Sequence, residues 1–136
     1  MAPRNTVAAE LVWTQELAFG ATSGTNALVV DGDSAAGASP VQLLVIALAA
    51  CMAIDIIDIL RKGHHAVSAF RVSLAGDRDP DPPRRLRNVN LTFHVHGPIP
   101  DPAVSRAISL SRDKFCSVWH SLREDIHLTA SHEILP

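Results

Sequence analysis

Hydrophobic and polar residues alternate near the start of the chain with the period of two that predicts a half-buried strand. The apolar positions of this first segment are Val7, Ala9, Leu11 and Trp13. Residues 17–19 and 27–30 form two further strand-like runs, and glycines mark turns near them. The beginning of the chain is therefore predicted to fold as three short strands.

A long helix is predicted next. A loop of small and polar residues ends at Ser39, a favoured N-cap residue, and Pro40 follows at the first helical position, which suits proline. The helix should run to about Lys62, with Gly63 as its stop signal. Its length is then roughly 34 Å, at 1.5 Å per residue.

The centre of this helix, residues 43–54, is apolar on every side. A membrane span is one interpretation, but such spans need about 20 mostly apolar residues. The uncharged run here has only twelve residues and ends at Asp55. We therefore expect a buried helix covered by a sheet or by a partner chain, and no membrane association.

The second half of the chain mixes strands and helices. Alternation at 67–74 and 89–95 predicts a hairpin with a long polar connection. Amphipathic spacing after Asp101 predicts a helix, followed by a further helical piece at 115–122 and a last strand near 126–130. Strands, one long helix, and then this mixture predict an α+β fold.

Composition narrows the function classes. The length of 136 residues fits a single domain, 1–136. With 12 basic and 14 acidic residues the formal charge is −2, which excludes the basic excess of a general nucleic-acid binder. Tyrosine is absent and aromatic residues are few, so we expect no nucleic-acid partner. The N-terminus shows no secretory-signal pattern, which predicts a cytoplasmic location.

Two cysteines are the first candidates for chemistry: Cys51 in the long helix and Cys116, 65 positions later. One interpretation is a pair of buried structural cysteines. The other is a reactive thiol and a resolving thiol brought together by the fold. Asp55 lies four residues after Cys51 and should lean toward it. Alternatively, Asp55 and Asp58 pair with basic residues at the end of the helix.

The seven histidines raise a metal hypothesis. His94 and His96 point to one face of a predicted strand, and Cys116 and His120 have helical i, i+4 spacing. No Cys-x-x-Cys or His-Glu-x-x-His motif supports either pair, so we expect no metal centre and no cofactor.

Three segments together resemble a known family. They are the helix opening Ser39-Pro-Val-Gln, the segment Leu-Ala-Ala-Cys-Met-Ala-Ile-Asp around Cys51, and the segment Lys-Phe-Cys-Ser-Val-Trp-His around Cys116. Their sequences and spacing are similar to the OsmC/Ohr family of thiol-dependent hydroperoxide reductases, in particular its OsmC-like branch. The likeness extends over nearly the whole chain.

The resemblance implies an OsmC-like α+β fold with antiparallel sheets around a long buried central helix, in an intertwined homodimer. It implies that Cys51 reduces organic hydroperoxides and that Cys116 resolves the oxidised cysteine as a disulfide. A dithiol reductant, such as a lipoylated or thioredoxin-like protein, would restore the thiols. The alternative is a non-catalytic dimer of the same fold that binds an apolar small ligand in its interfacial pocket.

The sequence departs from the family at one charge pair. Family members use an N-terminal arginine to stabilise the thiolate and a glutamate to hold that arginine, whereas residues 5–60 here contain no Arg or Lys. The position of the acid reads Val41-Gln42. Either a cation from the second half substitutes, or Cys51 is an ordinary, slowly reacting thiol. The candidate cations are Arg71, Arg112, Lys114 and His120, and the candidate supporting residues are Asp55, Gln42 and His120.

Overall fold

The computed structural model describes residues 5–136. They form two compact units, the first ending at Leu44 and the second running from Val45 to Pro136. The boundary lies within a long helix, α1 (Pro40–Lys62), and each unit contains one three-stranded sheet. The single domain spanning 1–136 stays a prediction.

The N-terminal unit is an antiparallel sheet of strands β1 (Glu10–Gln15), β2 (Ala18–Ser23) and β3 (Asn26–Asp31), in that order. The prediction of three strands is confirmed, although β1 begins later than the alternation suggested. Strand β2 begins at Ala18 because Glu16, with a φ of 47°, turns the chain before it.

Both faces of this sheet carry exposed apolar side chains. Leu11 and Trp13 project from one face of β1 and are 55% and 64% exposed, while Val12 on the other face is 59% exposed. The prediction of a half-buried strand is therefore wrong for the single chain. Apolar surface of this extent usually marks an interaction site.

The start of α1 is fixed by a capping box, as Ser39 and Pro40 predicted. The Ser39 hydroxyl accepts a hydrogen bond from the Gln42 backbone N–H at 3.3 Å, and Gln42 Oε1 accepts one from the Ser39 N–H at 2.8 Å. Each side chain thereby satisfies a backbone donor that the helix leaves free. Gln42 Oε1 also accepts a hydrogen bond from the Ser34 hydroxyl at 3.0 Å.

The end of α1 at Lys62 is also as predicted, but the left-handed residue is His64 rather than Gly63. His64 has a φ of 61°, the His65 N–H donates to the Leu60 carbonyl, and the His64 N–H donates to the Arg61 carbonyl, each at 3.0 Å. These two hydrogen bonds form a Schellman motif with histidine at the position where glycine is commonest.

The C-terminal unit continues with β4 (Ala69–Arg78), β5 (Leu86–His96), α2 (Asp101–Leu110), a π-helical turn (Ser111–Phe115), α3 (Ser117–His120) and β6 (His127–Leu135). The antiparallel hairpin of β4 and β5 is confirmed. The expectation that all strands are antiparallel is wrong, because β6 runs parallel to β5. The chain returns through the helical segment between them, and parallel neighbours need such a crossover. The single helical piece predicted at 115–122 is replaced by the π-helical turn and the short α3.

One stripe of α1 completes the core of this unit. Side chains four residues apart on the helix pack with those of β5 and α2 and are fully or almost fully buried. The helix contributes Leu48, Met52, Ile56 and Leu60 to this core, and the largest buried side chain of β5 is that of Phe93.

Other apolar side chains of α1 are not buried in the single chain, since Ile46 and Ile54 are 55% and 68% exposed. The prediction of a buried helix therefore holds for one stripe only. By length and composition this helix is also apolar enough to cross a membrane, and 22% of its most apolar stretch is buried.

Candidate active site

Three potential ligand or acid–base groups converge in the C-terminal unit. The Sγ atoms of Cys51 and Cys116 and a carboxylate oxygen of Asp55 all lie within 4.8 Å of one another. Cys51 and Asp55 are half-buried and Cys116 is fully buried. Two residues 65 positions apart in sequence are thus brought within reach of a disulfide.

A π-helical turn positions Cys116. The Cys116 backbone N–H donates to the Ser111 carbonyl at 2.8 Å, so the turn contains one residue more than an α-helical turn. In an α-helix, residues five apart would project about 140° apart. The wider turn lets the side chains of Ser111 and Cys116 both be buried, and such turns are frequent at functional sites.

Cys116 also begins the next helix. Its Sγ accepts a hydrogen bond from the Trp119 N–H at 3.4 Å at the N-cap of α3. Burial nonetheless raises the pKa of the Cys116 thiol to about 11, with smaller contributions in the same direction from Cys51 and the Asp55 charge. At neutral pH Cys116 is therefore a thiol, not a thiolate.

Asp55 is held in place by Ser111. The buried Ser111 hydroxyl donates a hydrogen bond to Asp55 Oδ2 at 2.8 Å. This hydrogen bond connects the residue that follows α2 to α1, close to the two sulfurs. Sequence reasoning missed Ser111. The available signal was a polar residue four positions after Ala107, on the stripe of α2 that is otherwise apolar.

The alternative pairing at the helix end is found only for Asp58. The Asp58 carboxylate accepts a hydrogen bond from Lys62 at 2.7 Å on the surface, whereas Asp55 turns toward Cys51 and Ser111. Among residues 5–136, Asp55 forms no ion pair.

The other two predicted supporting residues, Gln42 and His120, and His94 of the metal hypothesis form no side-chain hydrogen bond to Cys51, Asp55 or Cys116 among residues 5–136. Gln42 caps the start of α1, as described above. His120 is exposed, and its backbone N–H donates a hydrogen bond to the Cys116 carbonyl at 3.1 Å. His94 pairs with Glu133 on the face of the sheet opposite Phe93.

The candidate cations also have other partners. Arg71 donates to the Ser73 hydroxyl at 3.0 Å, Arg112 contacts Asp113 at 3.2 Å, and the Lys114 ammonium lies 5.2 Å from the centre of the Phe115 ring. None of these three cations is therefore seen to contact Cys51, Cys116 or Asp55 and so to balance the charge of a thiolate there.

A family model described as OsmC-like protein matches residues 31–131. The chain is 35% identical to Protein YhfA of Escherichia coli strain K12 over 130 residues, which is 93% of this chain and 97% of that protein. The chain therefore belongs to the OsmC family.

Solved structures show the same fold. A hypothetical protein from Aquifex aeolicus VF5 matches 96% of this chain and 97% of its own, at a TM-score of 0.90 and 23% identity. An organic hydroperoxide resistance protein from Elizabethkingia anophelis matches 99% of this chain and 100% of its own, at a TM-score of 0.71 and 14% identity. At these identities the likeness establishes the fold, and the predicted OsmC-like α+β class is confirmed.

Proposed function

We propose that this protein reduces organic hydroperoxides with Cys51 as the attacking residue and Cys116 as the resolving residue. The observation that carries the proposal is the approach of the two Sγ atoms to within 4.8 Å in the reduced chain. The different environments of the two thiols assign the roles. Cys51 is half-buried and accessible, whereas Cys116 is fully buried and protonated at neutral pH.

The first step oxidises Cys51. Its sulfur attacks an oxygen of the hydroperoxide, the O–O bond breaks, and the sulfur becomes a sulfenic acid. The departing alkoxide takes up the proton released by the thiol and leaves as the alcohol. One peroxide is thereby reduced by two electrons, and one cysteine is oxidised.

The second step joins the two sulfurs. The Cys116 sulfur attacks the Cys51 sulfenic acid, the S–O bond breaks, and water leaves as the disulfide forms. Because Cys116 starts as a thiol, its proton needs an acceptor. Asp55 lies within 4.8 Å of both sulfurs, and Ser111 orients its carboxylate, so we assign this proton transfer to Asp55. A dithiol reductant, lipoylated or thioredoxin-like, then regenerates the two thiols by exchange.

The protein is proposed to work as a homodimer in the cytoplasm. Large apolar side chains are exposed on α1 and on the N-terminal sheet, including Ile46, Ile54 and Trp13. A second copy covering these surfaces would bury them, and homodimer interfaces are usually this apolar. An apolar substrate is proposed because Val45, Ala49 and Ala53 of α1 line an open apolar groove, and a hydrocarbon tail gains from contact with such side chains.

A groove on α1 favours a second candidate function. Val45, Ala49, Ala53 and Leu74 line part of an open apolar groove of about 370 Å³. That volume is in the range of small-molecule sites. A non-catalytic dimer of this fold would hold an apolar ligand there and would be indifferent to the loss of Cys51.

The experiment is a single-turnover reaction of fully reduced, metal-free protein with one equivalent of cumene hydroperoxide. Peroxide loss, free thiols and intact mass are followed for the native protein and for Cys51→Ser and Cys116→Ser. We expect loss of both thiols to one intramolecular disulfide, no reaction in Cys51→Ser, and a sulfenic acid that persists in Cys116→Ser. Persistence of peroxide and of both thiols in the native protein would refute the peroxidase proposal and leave the ligand-binding function.

A further inference from the structure

We propose that Cys51, Asp55 and Cys116 of the reduced protein bind one zinc ion, with a water molecule in the fourth position. This site differs from the histidine sites that the sequence suggested, because the three groups that converge include no histidine. It does not depend on peroxide reduction, and it would exist in a dimer that has no enzymatic activity.

The donor set and the spacing suit zinc. In tetrahedral zinc sites, Zn–S distances of about 2.3 Å and Zn–O distances of about 2.1 Å place two sulfurs roughly 3.8 Å apart and sulfur and oxygen roughly 3.6 Å apart. The three donor atoms here all lie within 4.8 Å of one another, so closure around an ion shortens each separation by about 1.2 Å at most. Two thiolates and a carboxylate with one open position match the ligand types of catalytic zinc sites.

The surrounding hydrogen bonds are those that a zinc site requires. Ser111 donates to Oδ2 of Asp55 at 2.8 Å and so fixes the carboxylate, which retains further lone pairs for a metal. The Trp119 N–H already donates to Cys116 Sγ at 3.4 Å, and such a donor stabilises a thiolate. Ordered contacts of this kind around the ligands typically change metal affinity by about 10- to 100-fold.

Charge balance provides the second argument. The three groups would carry three negative charges when deprotonated, and Asp55 forms no ion pair among residues 5–136. A divalent cation would supply the positive charge that no ion pair supplies to these three groups, and it would allow both sulfurs to remain thiolates. The two thiol protons leave as the metal binds.

Zinc and the disulfide are mutually exclusive states of the same two sulfurs. A zinc-loaded protein is protected from oxidation because both thiolates are occupied by the metal. Where the peroxidase proposal holds, zinc becomes a reversible inhibitor of that reaction. Oxidation of the sulfurs, in turn, releases the ion.

The test measures zinc binding to the reduced, full-length protein without oxygen or peroxide, in competition with a chromophoric chelator. We expect one zinc ion per chain, loss of binding in Cys51→Ser and in Cys116→Ser, and at least tenfold weaker binding in Asp55→Asn. The matched controls are Asp58→Asn, three residues further along the same helix, and His120→Asn, and both should bind zinc as the native protein does. Cobalt bound in place of zinc should show sulfur-to-metal charge-transfer absorption of two thiolates.

Several results would overturn the proposal. They are binding of less than one zinc ion per chain, equal affinities for Asp55→Asn and Asp58→Asn, and unchanged binding after the thiols are oxidised to a disulfide with diamide. Circular dichroism checks the fold of each variant. If a cysteine variant does not fold, protection of the native Cys51 thiol from iodoacetamide by one equivalent of zinc decides the question, and absence of protection refutes the site. None of these measurements involves peroxide turnover, so failure of the zinc proposal can be distinguished from failure of the proposed peroxidase function.

Discussion

Replacing Asp55 by asparagine should increase the equilibrium population of the buried Cys116 thiolate, although it removes the proton acceptor proposed for disulfide formation. With a pKa of about 11, Cys116 is deprotonated in about one chain in a thousand at pH 8, whereas a free thiol with a pKa of about 8.5 would be about one quarter deprotonated. Burial is the largest cause of the raised pKa and remains in the variant. The negative charge of Asp55 is removed, and asparagine still accepts the hydrogen bond from Ser111.

The size of the effect follows from the geometry. At a separation of 4.8 Å, two unit charges repel by about 0.9 kcal/mol in the dielectric of water. That energy corresponds to a decrease of about 0.6 in the pKa of Cys116 and a fourfold larger thiolate population. A lower local dielectric would increase both numbers, so at low ionic strength fourfold is the minimum expected.

The assay is the rate of iodoacetamide labelling at Cys116, measured by peptide mass spectrometry between pH 7 and 9.5 with reduced protein and a metal chelator. We expect Asp55→Asn to be labelled at Cys116 at least four times faster than the native protein. Asp58→Asn, whose carboxylate pairs with Lys62 on the surface, should match the native rate. Equal rates for Asp55→Asn and the native protein, with both folded, would refute the electrostatic argument.

Three further predictions concern stability and are measured by urea unfolding. The folded-state pKa of Cys116 lies above its unfolded value, so the stability that its protonated form contributes is complete below about pH 8.5 and is lost as the pH rises toward 11. Cys116→Ala should therefore lose stability less steeply than the native protein between about pH 8.5 and 11. Parallel curves of unfolding free energy against pH would contradict this prediction. Gly37→Ala should destabilise by about 1–3 kcal/mol, because its new Cβ would lie 2.2 Å from the Val29 carbonyl oxygen, while Gly20→Ala, with open space around it, should not show this loss. His64→Gly should stabilise the protein by about 1 kcal/mol, because it relieves a left-handed conformation at the end of α1, and an unchanged unfolding midpoint would argue against strain there.

Local signals identified the long helix and its hairpin, because each is encoded by neighbouring residues. Ser39 and Pro40 define a helix start through hydrogen bonds within one turn, and alternation over 67–74 and 89–95 requires no distant partner. The direction of β6, by contrast, is not encoded by neighbouring residues. Its parallel pairing with β5 depends on how the intervening helices cross the sheet, which strand periodicity does not report.

The candidate site was found in part for the same reason. Helical spacing placed Asp55 near Cys51, but it was equally compatible with pairing to the basic end of the helix. In the structure, Asp55 accepts a hydrogen bond from Ser111, which lies 56 residues later in the chain at the start of a π-helical turn. No local propensity indicates one extra residue in a turn. The expectation that Cys116 approaches Cys51 therefore rested on the family resemblance rather than on spacing.

The distance along the chain between the two cysteines has a consequence during synthesis. Translation proceeds at about 5–20 residues per second, so Cys51 is made roughly 3–13 seconds before Cys116. In that interval a nascent chain exposes a single thiol whose resolving partner does not yet exist, and β6, the strand after Cys116, is made later still. If Cys51 is oxidised on the ribosome, no second thiol of the same chain can resolve it. The nascent chain therefore depends on external reductants until its last strand has been synthesised.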